Sequence, residues 1–203
     1  MAIKVTISTL EAVREELPAF LKGLDEETLQ NIQSIADPVP PHLSGIEYWP
    51  EVDDTPAFDS RTHTKGLETL TADAGTKTVS SVYALDELSL DDVIAHCEKE
   101  VRAKMNQVLT SDIDVGGGII SNRAELQENR DLLDGTGPSE VNFNSGHRTL
   151  TVPQQNTIKN NLKSHHRGSH KRAHDILELI MAETTGTDKV AVLDTELPLG
   201  WPS

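Results

Sequence analysis

The period at which apolar residues recur changes several times along the chain, and each change predicts an element. Leu10, Val13 and Leu17 share a helical face behind Ser8 or Thr9 as a cap, with Pro18 disrupting the run. A second start lies near Asp25, where Glu26 and Glu27 suit the positive end of a helix and Leu29, Ile32 and Ile35 give a buried stripe. Residues 8–35 therefore read as two short amphipathic helices. From Asp37 to Thr64 the periodicity stops, and DPVPPHLSG, YWPEVDDTPAF and DSRTHT hold five of the ten prolines. Such text favours extended, weakly hydrogen-bonded backbone. Tyr48, Trp49 and Phe58 argue for an ordered strap or linker, because aromatics in such a segment usually dock on something.

Alternation takes over at residues 65–87. Leu67, Thr69 and Thr71 form one arm of a β-hairpin, Val79 to Leu85 the other, and Asp73 to Gly75 the turn. A long helix starts at Ser89, with Asp91 and Asp92 in its first turn and an apolar seam of Leu90, Ile94, Cys97, Val101, Met105 and Val108. A seam this narrow suits one partner helix, either within the chain or from a symmetry mate in a short coiled coil. Gly116, Gly117 and Gly118 break the pattern before IISNRAELQENRDLLDG, a short extended piece followed by a polar helix. VNFN and HRTLTV form a second hairpin through Ser145 and Gly146, and Pro153 opens a last long helix to about Glu183. Its inner side carries Ile158, Leu162, Ser169, Ala173, Ile176, Leu177 and Ile180, and Gly168 permits a bend or close contact. Trp201 closes the chain as an apolar plug.

Composition restricts the picture. In 203 residues there are only seven aromatics and 36% hydrophobic residues, so the core is thin and much of the chain is loop or partner-facing surface. A net charge of -15 repels a phosphate stripe, which argues against general nucleic-acid binding. Cys97 is the single cysteine, so no intramolecular disulfide and no cysteine-based four-ligand zinc site can form. The N-terminus lacks the pattern of a secretory leader and no apolar run approaches a membrane span, so a soluble protein of a reducing compartment is expected.

One segment departs from the acidic background. No acid occurs between Glu140 and Asp175, whereas Arg148, Lys159, Lys163, Arg167, Lys171 and Arg172 all do, with His147, His165, His166, His170 and His174 among them. Such segregation points to an acidic protein surface, on this chain or a neighbouring copy, as partner, with Arg148, Lys163, His166, Arg167, His170, Lys171 and Arg172 as the candidate interface. An anion or nucleic-acid patch is disfavoured, since no aromatics that would stack bases lie in this stretch. His166, His170 and His174 have the spacing for a metal on one helical face. The glutamate of an HExxH motif is missing, however, and flanking cations oppose a dication, so no metal and no cofactor is expected. Cys97 lies on the apolar seam and reads as a core residue. Asp53-Asp54 lies in a loop and Asp91-Asp92 is explained by capping, so no catalytic residue is assigned and the chain reads as non-enzymatic.

Three stretches carry a resemblance: TPAFDSRTHTKGLETLTADAGTKTVSSVYALDELSLDDV, IISNRAELQENRDLLDG, and FNSGHRTLTVPQQNTIKNNL through to LPLGWPS. Over roughly residues 50–203 their order resembles the tail-fibre and baseplate accessory proteins of tailed bacteriophages that carry a C-terminal domain of unknown function. Phe143 stands where that pattern has tryptophan, the histidine cluster is richer, and the two N-terminal helices have no counterpart. The resemblance implies a structural component of a phage tail, or alternatively a tail-fibre assembly chaperone absent from the mature virion. It would be located in the virion tail, and in the host cytoplasm during assembly. Its implied partners are other tail proteins and further copies of itself, a cyclic trimer being the candidate, with no nucleic acid and no membrane.

The expected fold is α+β, partly extended and partner-stabilised: short N-terminal helices, a proline-rich strap, two β-hairpins and two long helices. The expected divisions are an attachment segment at 1–36, the strap at 37–64, hairpin plus helix at 65–110, and a C-terminal hairpin-helix domain at 111–203.

Overall fold

The computed structural model describes residues 2–35, 38–114, 119–120, 136–143 and 146–202. It is a mixed α and β structure in two compact units, Met1–Glu87 and Leu88–Ser203. The polar helix expected after the three glycines lies outside the described residues, as does Ser145.

The first unit is built on a five-stranded sheet of order β2-β1-β3-β5-β4, from β1 (Ala2–Thr6), β2 (Glu11–Val13), β3 (Ile46–Asp53), β4 (His63–Asp73) and β5 (Thr78–Glu87). The first expected helix is replaced by β1 and β2, with Lys4, Val5 and Thr6 opposite Val13, Ala12 and Glu11. The physical reason lies in the alternation that starts at Ile3. Ile3 and Val5 are fully buried beside Trp49 and Val79, whereas Leu10 and Val13, on the supposed helical stripe, are exposed. The turn between them is closed by the Leu10 N–H donating to the Thr6 carbonyl, with Leu10 at φ 55°. The second helix start falls where expected. The Asp25 side chain accepts from the Thr28 N–H at 2.7 Å and opens α1 (Glu26–Gln30), followed by α2 (Ile32–Ile35).

Residues 46–53, read as part of a strap, form the middle strand of the sheet. β3 pairs antiparallel with β1 over Ile46–Pro50 and parallel with β5 over Glu51–Asp53, so Pro50 falls at the hand-over between partners. Tyr48 and Trp49 point to opposite faces and both are buried. Tyr48 joins Leu21, Leu29, Ile32 and Leu43 under the short helices, and Trp49 joins Ile3, Val5 and Val79. β4 and β5 pair antiparallel from His63↔Glu87 to Asp73↔Thr78, with a register shift between Lys65 and Glu68.

A charged fork draws the sheet towards closure. Arg14, one residue past β2, donates through Nη1 and Nη2 to Glu51 on β3 at 3.0 and 2.6 Å, and through Nε to Glu68 on β4 at 3.1 Å. Hydrogen bonding to that guanidinium holds both carboxyls below their ordinary range and raises the Arg14 pKa. Elsewhere, the Glu47 carboxylate accepts from Trp49 Nε1 at 2.9 Å and from Lys77 Nζ at 3.1 Å, which satisfies a nearly buried acid.

The second unit has at its centre a bundle of α3 (Leu90–Thr110), α4 (Val152–Ala182) and α5 (Gly186–Glu196). Ser89 caps α3 by accepting from the Asp92 N–H at 3.2 Å, so Asp91 and Asp92 sit in the first turn. Val93, Cys97 and Val101 face Ala173, Ile176 and Ile180 of α4 and Val190 and Leu193 of α5. The α3 seam is thus covered within the chain, and its start is Val93 rather than the exposed Leu90. α5 was not expected from the sequence. Its cap is Thr185, which accepts from the Asp188 N–H at 3.1 Å. Lys189, buried in its first turn, donates to the Ile180 and Glu183 carbonyls at 2.8 and 2.5 Å and so satisfies the end of α4. Two short antiparallel pairs also belong to the described part of this unit: β6 (Ile113–Asp114) with β7 (Ile119–Ile120), and β8 (Ser139–Phe143) with β9 (Gly146–Leu150).

Candidate functional site

The residues singled out by charge lie on α4 and β9. α4 begins where Thr151 and Gln154 form a capping box with Pro153 in the first turn. Its buried face carries Gln155, Ile158, His165, Ser169, Ala173, Ile176 and Ile180. Residues four apart share a helical face. The opposite flank therefore presents two adjacent stripes, Lys163-Arg167-Lys171 and His166-His170-His174, all exposed. The His166 and His170 rings meet one turn apart in a tilted contact, with centroids 4.5 Å apart and planes inclined at 45°. Arg148 is exposed on β9.

The structure removes or dilutes part of the expected cationic face. Arg172, expected at the interface, is turned to the C-terminal tail. Its Nη2 donates to the Glu196 carbonyl and to Glu196 Oε2, both at 2.8 Å, and its Nε to the Leu199 carbonyl at 3.0 Å. The tail fits around it: Gly200 is at φ +70°, and a Cβ there would lie 3.1 Å from Arg172 Nε. Trp201 donates to the Leu197 carbonyl at 2.7 Å and packs on the bundle core, and Pro202 lies over Gly168. Gly168 therefore serves a close contact with the tail. Lys171 remains exposed, but its charge is offset by Asp175 at 2.6 Å. His165 is buried, with Nε2 3.3 Å from the Val108 carbonyl near the end of α3. Lys163, Arg167, His166 and His170, all exposed, form the core of the patch.

Two features at the C-terminal end of this flank escaped the sequence reading. Arg102 and Met105 of α3 with His170, Ala173, Leu177 and Met181 of α4 line a groove of about 660 Å³, which His174 and Glu178 border. Beside it, the ligand atoms of His174, Asp175 and Glu178 lie within 4.8 Å of one another, with His174 Nδ1 3.6 Å from Glu178 Oε1. The signal in the sequence is the i, i+4 row, which continues past the histidines from His170 to His174 to Glu178. Cys97 is buried in the core, as its place on the seam implied.

No protein-family model, curated protein or solved structure matches the chain. No helix among the described residues is long and apolar enough to cross a membrane.

Proposed function

We propose that the chain is a non-catalytic structural component of a bacteriophage tail, associated with fibre or baseplate, that works through protein–protein contacts. The observation that carries the contact reading is the exposed row of Lys163, Arg167, His166 and His170 on a chain of net charge -15. Charge segregated in this way steers an acidic partner surface and fixes its register. The tail setting rests on the resemblance of residues 50–203, as does location in the virion tail and, during assembly, in the host cytoplasm. On this reading the irregular, proline-containing stretch 54–62 with Phe58 belongs to the extended, partner-stabilised part of the fold. Other tail proteins and further copies of this chain are the partners, a trimer being the candidate assembly. Its contacts would use a surface other than the α3 seam, which the bundle buries.

Charge reversal tests the surface. Lys163→Glu with Arg167→Glu, both exposed and outside the tail clip, should leave helicity and thermal unfolding unchanged while lowering incorporation into tails about tenfold or more. Unchanged incorporation would remove this face from the interface. Capture of the chain with immature fibre only, and never in particles, would replace the structural role by that of an assembly chaperone.

A further inference from the structure

We propose that His174, Asp175 and Glu178 form a binding site for a borderline divalent metal ion, with Zn²⁺ as the reference ion. The proposal is independent of the functional reading above. One imidazole and two carboxylates are donors that such ions accept, and a harder ion has little use for the imidazole. Their spacing on α4 brings them together: His174 and Glu178 are one turn apart, and Asp175 reaches the same point from the adjoining flank. The 3.6 Å between His174 Nδ1 and Glu178 Oε1 is close to the edge of about 3.4 Å expected of a tetrahedron with ligands at about 2.1 Å. The wider 4.8 Å limit for the set closes by rotation of the exposed His174 and Glu178 side chains towards Asp175, which is half-buried and must exchange Lys171 for the ion.

Electrostatics around the cluster also fit. The two carboxylates match the charge of a divalent ion. Of the cations around this end of the helix, Arg172 is turned to the tail by Glu196 at 2.8 Å and Arg102 of α3 is paired with Glu98 at 2.8 Å, whereas Lys171 holds Asp175 at 2.6 Å. A bound ion competes with Lys171 for Asp175. Three protein ligands on one exposed helix leave the remaining coordination positions open to water or to an incoming donor, at the border of the groove that Met105, Leu177 and Met181 line.

The test is calorimetric titration of the untagged full chain with zinc chloride in a non-chelating buffer. The expected result is one ion per chain, with His174→Ala and Glu178→Gln each weakening binding about tenfold or more, Asp175→Asn also weakening it, and His166→Ala changing it less than about twofold. All four positions lie on the outer side of α4, so circular dichroism should be unchanged. Absence of binding at millimolar zinc would overturn the proposal. So would binding that His166→Ala abolishes while His174→Ala and Glu178→Gln leave it intact, since the ion would then sit on the His166–His170 pair.

Discussion

The two units hold themselves together by different means. In Met1–Glu87 the apolar clusters are small, and charge does much of the joining: the Arg14 fork spans β3 and β4, and Glu47 sits between Trp49 and Lys77. In Leu88–Ser203 one continuous apolar seam joins three helices, and polar groups act as clips at their ends, Lys189 on α4 and Arg172 on the tail. A thin apolar composition can thus be arranged either as a sheet tied by ion pairs or as a narrow helical seam. The first arrangement should respond to pH, the second to lost side-chain volume.

The largest effect is expected in the seam. Ile176→Ala removes a fully buried side chain between α3 and α5, and should lower stability of the helical unit by about 2–5 kcal/mol in urea unfolding followed at helical wavelengths. A loss well below that would mean the seam collapses around the cavity.

Arg14→Ala is the matching change in the sheet, and its signature is in the pH dependence. Glu51 and Glu68 are held below their ordinary value of 4.5 chiefly by hydrogen bonds from Arg14. Their contribution is therefore present above about that pH and is lost as pH falls through the lowered values. The variant should be less stable at neutral pH and should lose less on acidification, read from sheet-specific hydrogen exchange at pH 7 and pH 4. Asp53, brought to about 2 by the Thr55 hydroxyl and N–H and by Lys65, should stay ionised throughout that range in both proteins.

The tail clip comes next. Arg172→Ala removes three hydrogen bonds and should cost about 1–3 kcal/mol, with residues 197–202 exchanging their amides and yielding to protease first. Ser89→Ala, which removes the α3 cap, should cost about 1 kcal/mol with no preference for the tail.

What could be read in advance follows the range of the forces involved. Helix starts were legible at Asp25 and Ser89 because a cap and its acids act within one turn. The run from Pro153 to about Glu183 was legible because that proline and the 3.6-residue period agree, whereas the Thr151 cap was not read. The opening strands were not, since Leu10, Val13 and Leu17 imitate a helical face while Ile3 and Val5 show only one alternation, and the partner that decides the matter is Trp49, far along the chain. The strap became a middle strand for the same reason: prolines speak of the local backbone, whereas β3 is fixed by β1 and β5. α5 is short, 11 residues, and its local signal is the cap of Thr185 with Asp188. Of the candidate surface, Lys163, Arg167, His166 and His170 were singled out by the segregation of charge in an acid-free stretch, and all four are exposed. The turn of Arg172 to the tail was not legible, because the Leu199 carbonyl that claims it is set by the fold of the tail.

The claim that this chain is a built-in tail component is tested most directly by quantitative mass spectrometry of purified phage particles from its source, with its abundance expressed relative to the major tail protein. The account predicts a fixed, small ratio that persists through repeated purification. Absence from particles, with abundance in the infected-cell lysate, would contradict it.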